Sequence, residues 1–205
     1  MSGKLWPRNR APGWRTTMRS LMSDARPFTD PANTEHDAAV MRDMVGHMRT
    51  FARGWLESPP PGPGVLVREV DAAGNRTWIR VPDRDALFAA DELTTVGFFG
   101  QARADVDHDP IHRLEEAIVD TLELVPGVLS YFDLALPQGG YGNLILCDSP
   151  DAAVRWHEHD VHAEAVELAP HHYHSARLHN GVVGSPLLGD ADLVVLRTRF
   201  YDFDM

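Results

Sequence analysis

Only one cysteine, Cys147, occurs among 205 residues, so no internal disulfide can form. It lies in the apolar run Leu144-Ile145-Leu146-Cys147, where a buried, inert thiol is favoured over a nucleophile. Basic charge is scarce as well. The chain carries 19 Lys and Arg against 30 Asp and Glu, a formal net charge of -11. A surface of that sign does not suit phosphate, so neither nucleic acid nor an anionic membrane is expected as a partner. No apolar run approaches the length that spans a bilayer. Lys4, Arg8 and Arg10 are not followed by the apolar stretch of a secretory signal, and a cytoplasmic location is expected. No Gly-x-Gly-x-x-Gly, phosphate loop or Gly-x-Ser-x-Gly elbow is present, and Gly139-Gly140 is too short to cradle phosphate.

What is present is a hydrophobic content of 43%, ordinary for a chain that folds around a core. Residues 1–32 are rich in Pro, Arg and Trp without periodicity and read as an extended or partly disordered arm. From Asn33 or Thr34 the pattern turns helical, with Val40, Met44, Met48, Phe51 and Trp55 recurring on one side. Ser58-Pro-Pro-Pro-Gly-Pro-Gly ends that helix. Two short strands, Val65–Val70 and Thr77–Val81, flank a hairpin turn at Asp71–Asn75, and Asp83–Asp91 reads as a short helix. Residues 1–93 are open to three readings: a degenerate half-barrel (for 33–93), a dimer arm or a lid. The methionines 18, 22, 41, 44 and 48 suit helix packing or a flexible lid.

Residues 94–205 are more regular. Thr94–Ala102 reads as a strand, and Asp109-Pro110 opens a helix whose stripe is Ile111, Leu114, Ile118, Leu122 and Val125. Strands follow at Val128–Leu136 and Tyr141–Cys147. Ser149-Pro150 caps one helix running to about Leu168, and the closing strands are His172–Val183 and Leu193–Phe203. The order β-α-β-β-α-β plus one strand is the α+β, ferredoxin-like split βαβ arrangement. Both helices of such a unit pack on one sheet face. Covering the other with a second sheet predicts a dimeric, or within one chain pseudo-dimeric, α/β barrel, hence a homodimer enclosing a cavity.

Seven of the eleven histidines fall between His157 and His179. Imidazole suits both acid/base work near neutrality and metal ligation, so that density points to chemistry. On the second helix Val154, His157, Val161, Ala165 and Leu168 form the predicted inward stripe, with Trp156, His159 and His162 off its centre. The spacing of His159 and His162 lets them face one space. Alternation on the following strand separates His174, Ala176 and Leu178 from Tyr173, Ser175, Arg177 and His179. The second set is expected on the cavity side, with Tyr131 and Asn143 on neighbouring strands. His108 and His112 stand among Asp105, Asp107 and Asp109, where a solvated helix entry is expected rather than a metal site.

The segment Trp156-His-Glu-His159-Asp-Val-His162 resembles the Trp-x-x-His-x-x-His pattern of the antibiotic biosynthesis monooxygenase-like barrels, with Asp160 where Pro usually stands. Over about 110 residues that resemblance implies the barrel fold, whose members share no one catalytic residue set; a small-molecule enzyme that needs no cofactor is the leading expectation. Its substrate would be aromatic or polyketide-like, held by Phe98, Tyr131, Asn143, Trp156 and Tyr173. His179 or His174 would remove a proton, Arg177 and Asn180 would hold the oxyanion, and dioxygen would react with the anion. The C-terminal half is also similar to that of the haem-containing aldoxime dehydratases. That similarity implies haem b with His162 as axial ligand, His159 beside it and His179 as distal acid/base. A third expectation, from another class, is a non-catalytic ligand-binding protein.

Overall fold

The computed structural model describes residues 33–70, 76–136 and 140–204. The expected arm at 1–32 and the expected hairpin turn at 71–75 lie outside the described residues. The helix α1 (Asn33–Glu57) is followed by β1 (Val65–Val70), β2 (Arg76–Val81), α2 (Arg84–Ala89) and β3 (Leu93–Ala102). Next come α3 (Asp109–Thr121), a 3-10 turn (Leu122–Leu124), β4 (Val128–Ala135) and β5 (Gly140–Cys147). The chain closes with α4 (Pro150–Glu158), α5 (Asp160–His172), β6 (Tyr173–Val183) and β7 (Leu193–Asp202). Caps mark several starts: the Asp83 carboxylate accepts the N–H groups of Asp85 and Ala86, and Ser149 accepts that of Ala152.

All seven strands form one antiparallel sheet in the order β1-β2-β4-β5-β3-β6-β7. Its central four, β4-β5-β3-β6, carry the split βαβ order, because each helical connection skips one strand. The β1–β2 hairpin extends that sheet beyond β4, and β7 extends it beyond β6. Residues 33–93 thus contribute two strands and a helix to the same sheet.

The two sheet faces are covered differently. On one lie α3, α4 and α5, where Ile118, Val119, Leu122, Trp156, Tyr131, Ile145 and Cys147 share a core. The other face, expected to await a second sheet, is occupied by α1. Met41, Met44, Met48, Ala52 and Trp55 pack there against Ile79, Phe99, Phe132 and Leu144. Burying each such methionine contributes roughly 1.5–3 kcal/mol. Gly97 lets α1 lie close: a Cβ there would stand 2.7 Å from Met41 Sδ. With α1 in place, the geometric reason for pairing through that face is gone.

One helix expected from Ser149 to Leu168 is two. His159 adopts an extended conformation, φ -66° and ψ 130°, ending α4 and starting α5. The helical phase differs accordingly. Ala152 and Trp156 are buried, whereas Val154, placed in the expected stripe, is 53% exposed. His159 and His162 therefore do not share one helical face.

Candidate functional site

A β-bulge decides which residues meet. Gln101 pairs with Ser175, but Ala102 pairs with Tyr173, so His174 is an extra residue on β6. The side-chain alternation shifts at that point. Tyr173 joins Phe98 and Gly100 on the α3–α5 face, while Ser175, Arg177 and His179 follow Gln101, Phe99 and Gly97 onto the α1 face. The single wall expected from Tyr173, Arg177 and His179 is therefore divided by the sheet.

On the α1 face, Arg177 and His179 converge on Asp37 from the first turns of α1. The guanidinium donates through Nε and Nη2 to the two carboxylate oxygens, the latter bond being 2.7 Å. His179 Nε2 lies 2.8 Å from Asp37 Oδ2, and its Nδ1 lies 2.9 Å from Thr198 Oγ1 on β7. Phe99 meets the imidazole edge to face at 5.5 Å. Asp37, Arg177 and His179 are at most 1% exposed. Both nitrogens of His179 are thus engaged, and no reacting molecule reaches it without displacing α1. His174, the other expected base, sits at the sheet end in a surface network. Its Nδ1 is 2.7 Å from Asp204 Oδ2, and Arg103 reaches the same carboxylate at 2.6 Å. The hydrogen bond from His174, then that from Arg103, holds the Asp204 carboxyl below its usual range. Asn180 lies opposite Val96, on the α3–α5 face.

All five residues expected to bind substrate collect on the α3–α5 face. Tyr131 and Tyr141 join hydroxyls at 2.8 Å. Phe98 lies 6.3 Å from the Tyr141 ring and 5.4 Å from that of Tyr173. Trp156 stands 6.1 Å from Tyr131, and His162 lies 4.6 Å from Trp156. Asn143 pairs with Phe98 across β3 and β5. Tyr131, Trp156 and Tyr173 are buried, while Phe98, Tyr141 and Asn143 are partly exposed and mark the reachable end of this aromatic layer. Tyr141 went unmarked in the sequence; its place opposite Gly100, two residues from Phe98, was the available signal.

The electrostatics of this layer favour neutral groups. Burial, then Asp133 and Glu115, hold the Tyr131 phenol well above its ordinary range. Burial and then Glu115 do the same for Tyr141 and Tyr173. Burial pushes His162 down to about 4, against the opposing pull of the His157 carbonyl 3.4 Å from Nδ1. A Nδ1–H directed at that carbonyl leaves the Nε2 lone pair as an acceptor. Burial pushes the Cys147 thiol up to about 12, in keeping with an inert sulfur.

A haem held between two histidines does not fit. His162, the expected axial ligand, belongs to the α3–α5 face, whereas His179, the expected distal group, is locked beneath α1 on the other. A separate cleft of about 490 Å³ lies between α1 and β7, lined by Thr34, Glu35, Ala38, Arg42, Val194 and Val195. None of the expected site residues lines it. Among the described residues, no helix is long and apolar enough to cross a membrane.

No protein-family model matches the chain, and no curated protein matches it. Among solved structures it is similar to a monooxygenase-like protein from Listeria innocua, with 12% identity and a TM-score of 0.33. The match covers 75% of this chain and 87% of that one. The functional reading therefore rests on this chain's own residues.

Proposed function

We propose that the chain is a small-molecule enzyme that takes a planar aromatic or polyketide-like substrate on the α3–α5 face and removes a proton from it. The observation that carries this reading is the Tyr131–Tyr141 hydroxyl pair, set in an aromatic layer beside a neutral imidazole. Phe98, Tyr173 and Trp156 offer ring faces and edges to a flat ligand, and Asn143 offers an amide at the reachable end. The phenols stay protonated at neutral pH and can donate to a developing oxyanion. His162 accepts the substrate proton at Nε2, the base role expected from the sequence for His179 or His174. An electron-rich anion made this way can pass one electron to dioxygen, and the substrate radical and superoxide so formed can join through a new C–O bond as a hydroperoxide once a proton is taken up, the cofactor-free oxygenation expected of an oxygenase of this class.

The test is a binding and turnover screen of phenolic and polyketide compounds, with Trp fluorescence reporting occupancy beside Trp156. Wild-type protein should bind and convert a member of the set. His162→Gln should keep binding and lose about 10²–10⁴-fold in turnover. Tyr131→Phe should lose turnover and retain most of its binding. Binding without conversion would favour a ligand-binding protein, and full activity in His162→Gln would remove the base assignment.

A further inference from the structure

We propose that His108, His112 and His172 form a binding site for a divalent transition-metal ion of the zinc class. The loop after β3, the start of α3 and the end of α5 bring these three imidazoles together. His108 precedes the first residue of α3 with φ -90° and ψ -4°, which continues the helical path. His112 follows one turn later, so the two rings lie on one helix face, 6.2 Å apart. His172, the last residue of α5, stands 5.6 Å from His108. Imidazole nitrogens are the donors that zinc, nickel and copper prefer.

Two features of the individual rings point to a ligand. His108 Nε2 lies 2.7 Å from the Arg103 carbonyl, so that nitrogen donates and Nδ1 keeps its lone pair. An imidazole fixed by a backbone carbonyl on its far nitrogen is the usual arrangement of a metal-binding histidine. His172 is 4% exposed, and its Nδ1 is buried with no hydrogen-bond partner. A buried polar atom of that kind ordinarily has a partner, and coordination would supply one. Among the described residues no three His, Cys, Asp or Glu side chains are yet gathered in a coordinating geometry. The ion must therefore draw the three rings closer, and His112 is the exposed one of the three.

Calorimetric titration of the full chain with zinc chloride at pH 7.5 tests the site. One equivalent should bind saturably, and binding should weaken as pH falls toward 6, where protons compete for the imidazoles. Affinity should drop by at least about tenfold in His112→Gln and in His172→Gln, and stay unchanged in His157→Gln, whose ring belongs to the other histidine group. His112 is exposed, so its variant gives the decisive result even if the His172 variant unfolds. Absence of saturable binding, or unchanged affinity in His112→Gln, would overturn the proposal, as would loss of zinc in His157→Gln.

Discussion

The two faces of one sheet are built for different ends. Beneath α1 the groups that meet Asp37 are engaged: Arg177 and His179 tie the helix to β6, and Thr198 of β7 takes up the second nitrogen of His179. Beneath α3, α4 and α5 the polar atoms are phenols and an imidazole with donor or acceptor capacity to spare, and several of them reach the surface. A histidine with both nitrogens engaged in a sealed ion network anchors a helix, whereas one with a bare nitrogen in an aromatic layer can accept a proton. Residue type alone does not separate these cases; the partners do.

The largest expected effect is on the α1 face. Asp37→Ala should leave Arg177 without its carboxylate in a dry core and cost about 3–5 kcal/mol in urea unfolding. If the loss is below about 1 kcal/mol, that face is not held by the ion network and the contrast fails. Gly181→Ala should follow, at about 1–3 kcal/mol, because its Cβ would press on the Val194 carbonyl of β7 and on Thr95 Oγ1. Neither change should alter ligand occupancy on the α3–α5 face of the surviving folded protein.

Smaller effects belong to that second face. The folded His162 titrates near 4, below its ordinary value of 6.5. Between those values the unfolded chain binds a proton that the folded chain refuses. Stability should therefore fall as pH drops from 6.5 toward 4, by at most about 2 kcal/mol for this partly exposed ring. Urea midpoints measured across that window should show a shallower slope in His162→Gln. Tyr131→Phe should be mildest for folding, about 1 kcal/mol for the lost hydroxyl bond, while its turnover falls. A variant equally harmful to folding and to turnover would blur the distinction between the faces.

Much of the fold was legible in the sequence. The stripe Ile111, Leu114, Ile118, Leu122 and Val125 is buried as its spacing predicted, and the β3, β4, β5, β6 and β7 boundaries lie within a residue of their apolar runs. Local chemistry sets these features: apolar periodicity chooses helix or strand, and Pro, Gly, Ser and Asp mark the ends. Phe98, Tyr131, Asn143 and Tyr173, expected from the sequence to line one cavity with Arg177 and His179, lie instead on the opposite sheet face, beside Trp156. Not legible was the break at His159, where one residue in an extended conformation rephases the helix and buries Trp156 in place of Val154.

The sequence by itself determined the elements, their order and hence the split βαβ core, because those depend on contacts within a few turns or strands. Tertiary structure alone decided the faces. The extra residue His174 in β6 reverses the alternation, an event set by pairing with β3 rather than by any local preference. Likewise the cover of the second face depends on where α1 comes to rest, packed through its methionines and bonded through Asp37 to Arg177 across 140 residues of chain. A long-range ion pair of that kind leaves no periodic trace, and it moved His179 from a cavity wall into the core.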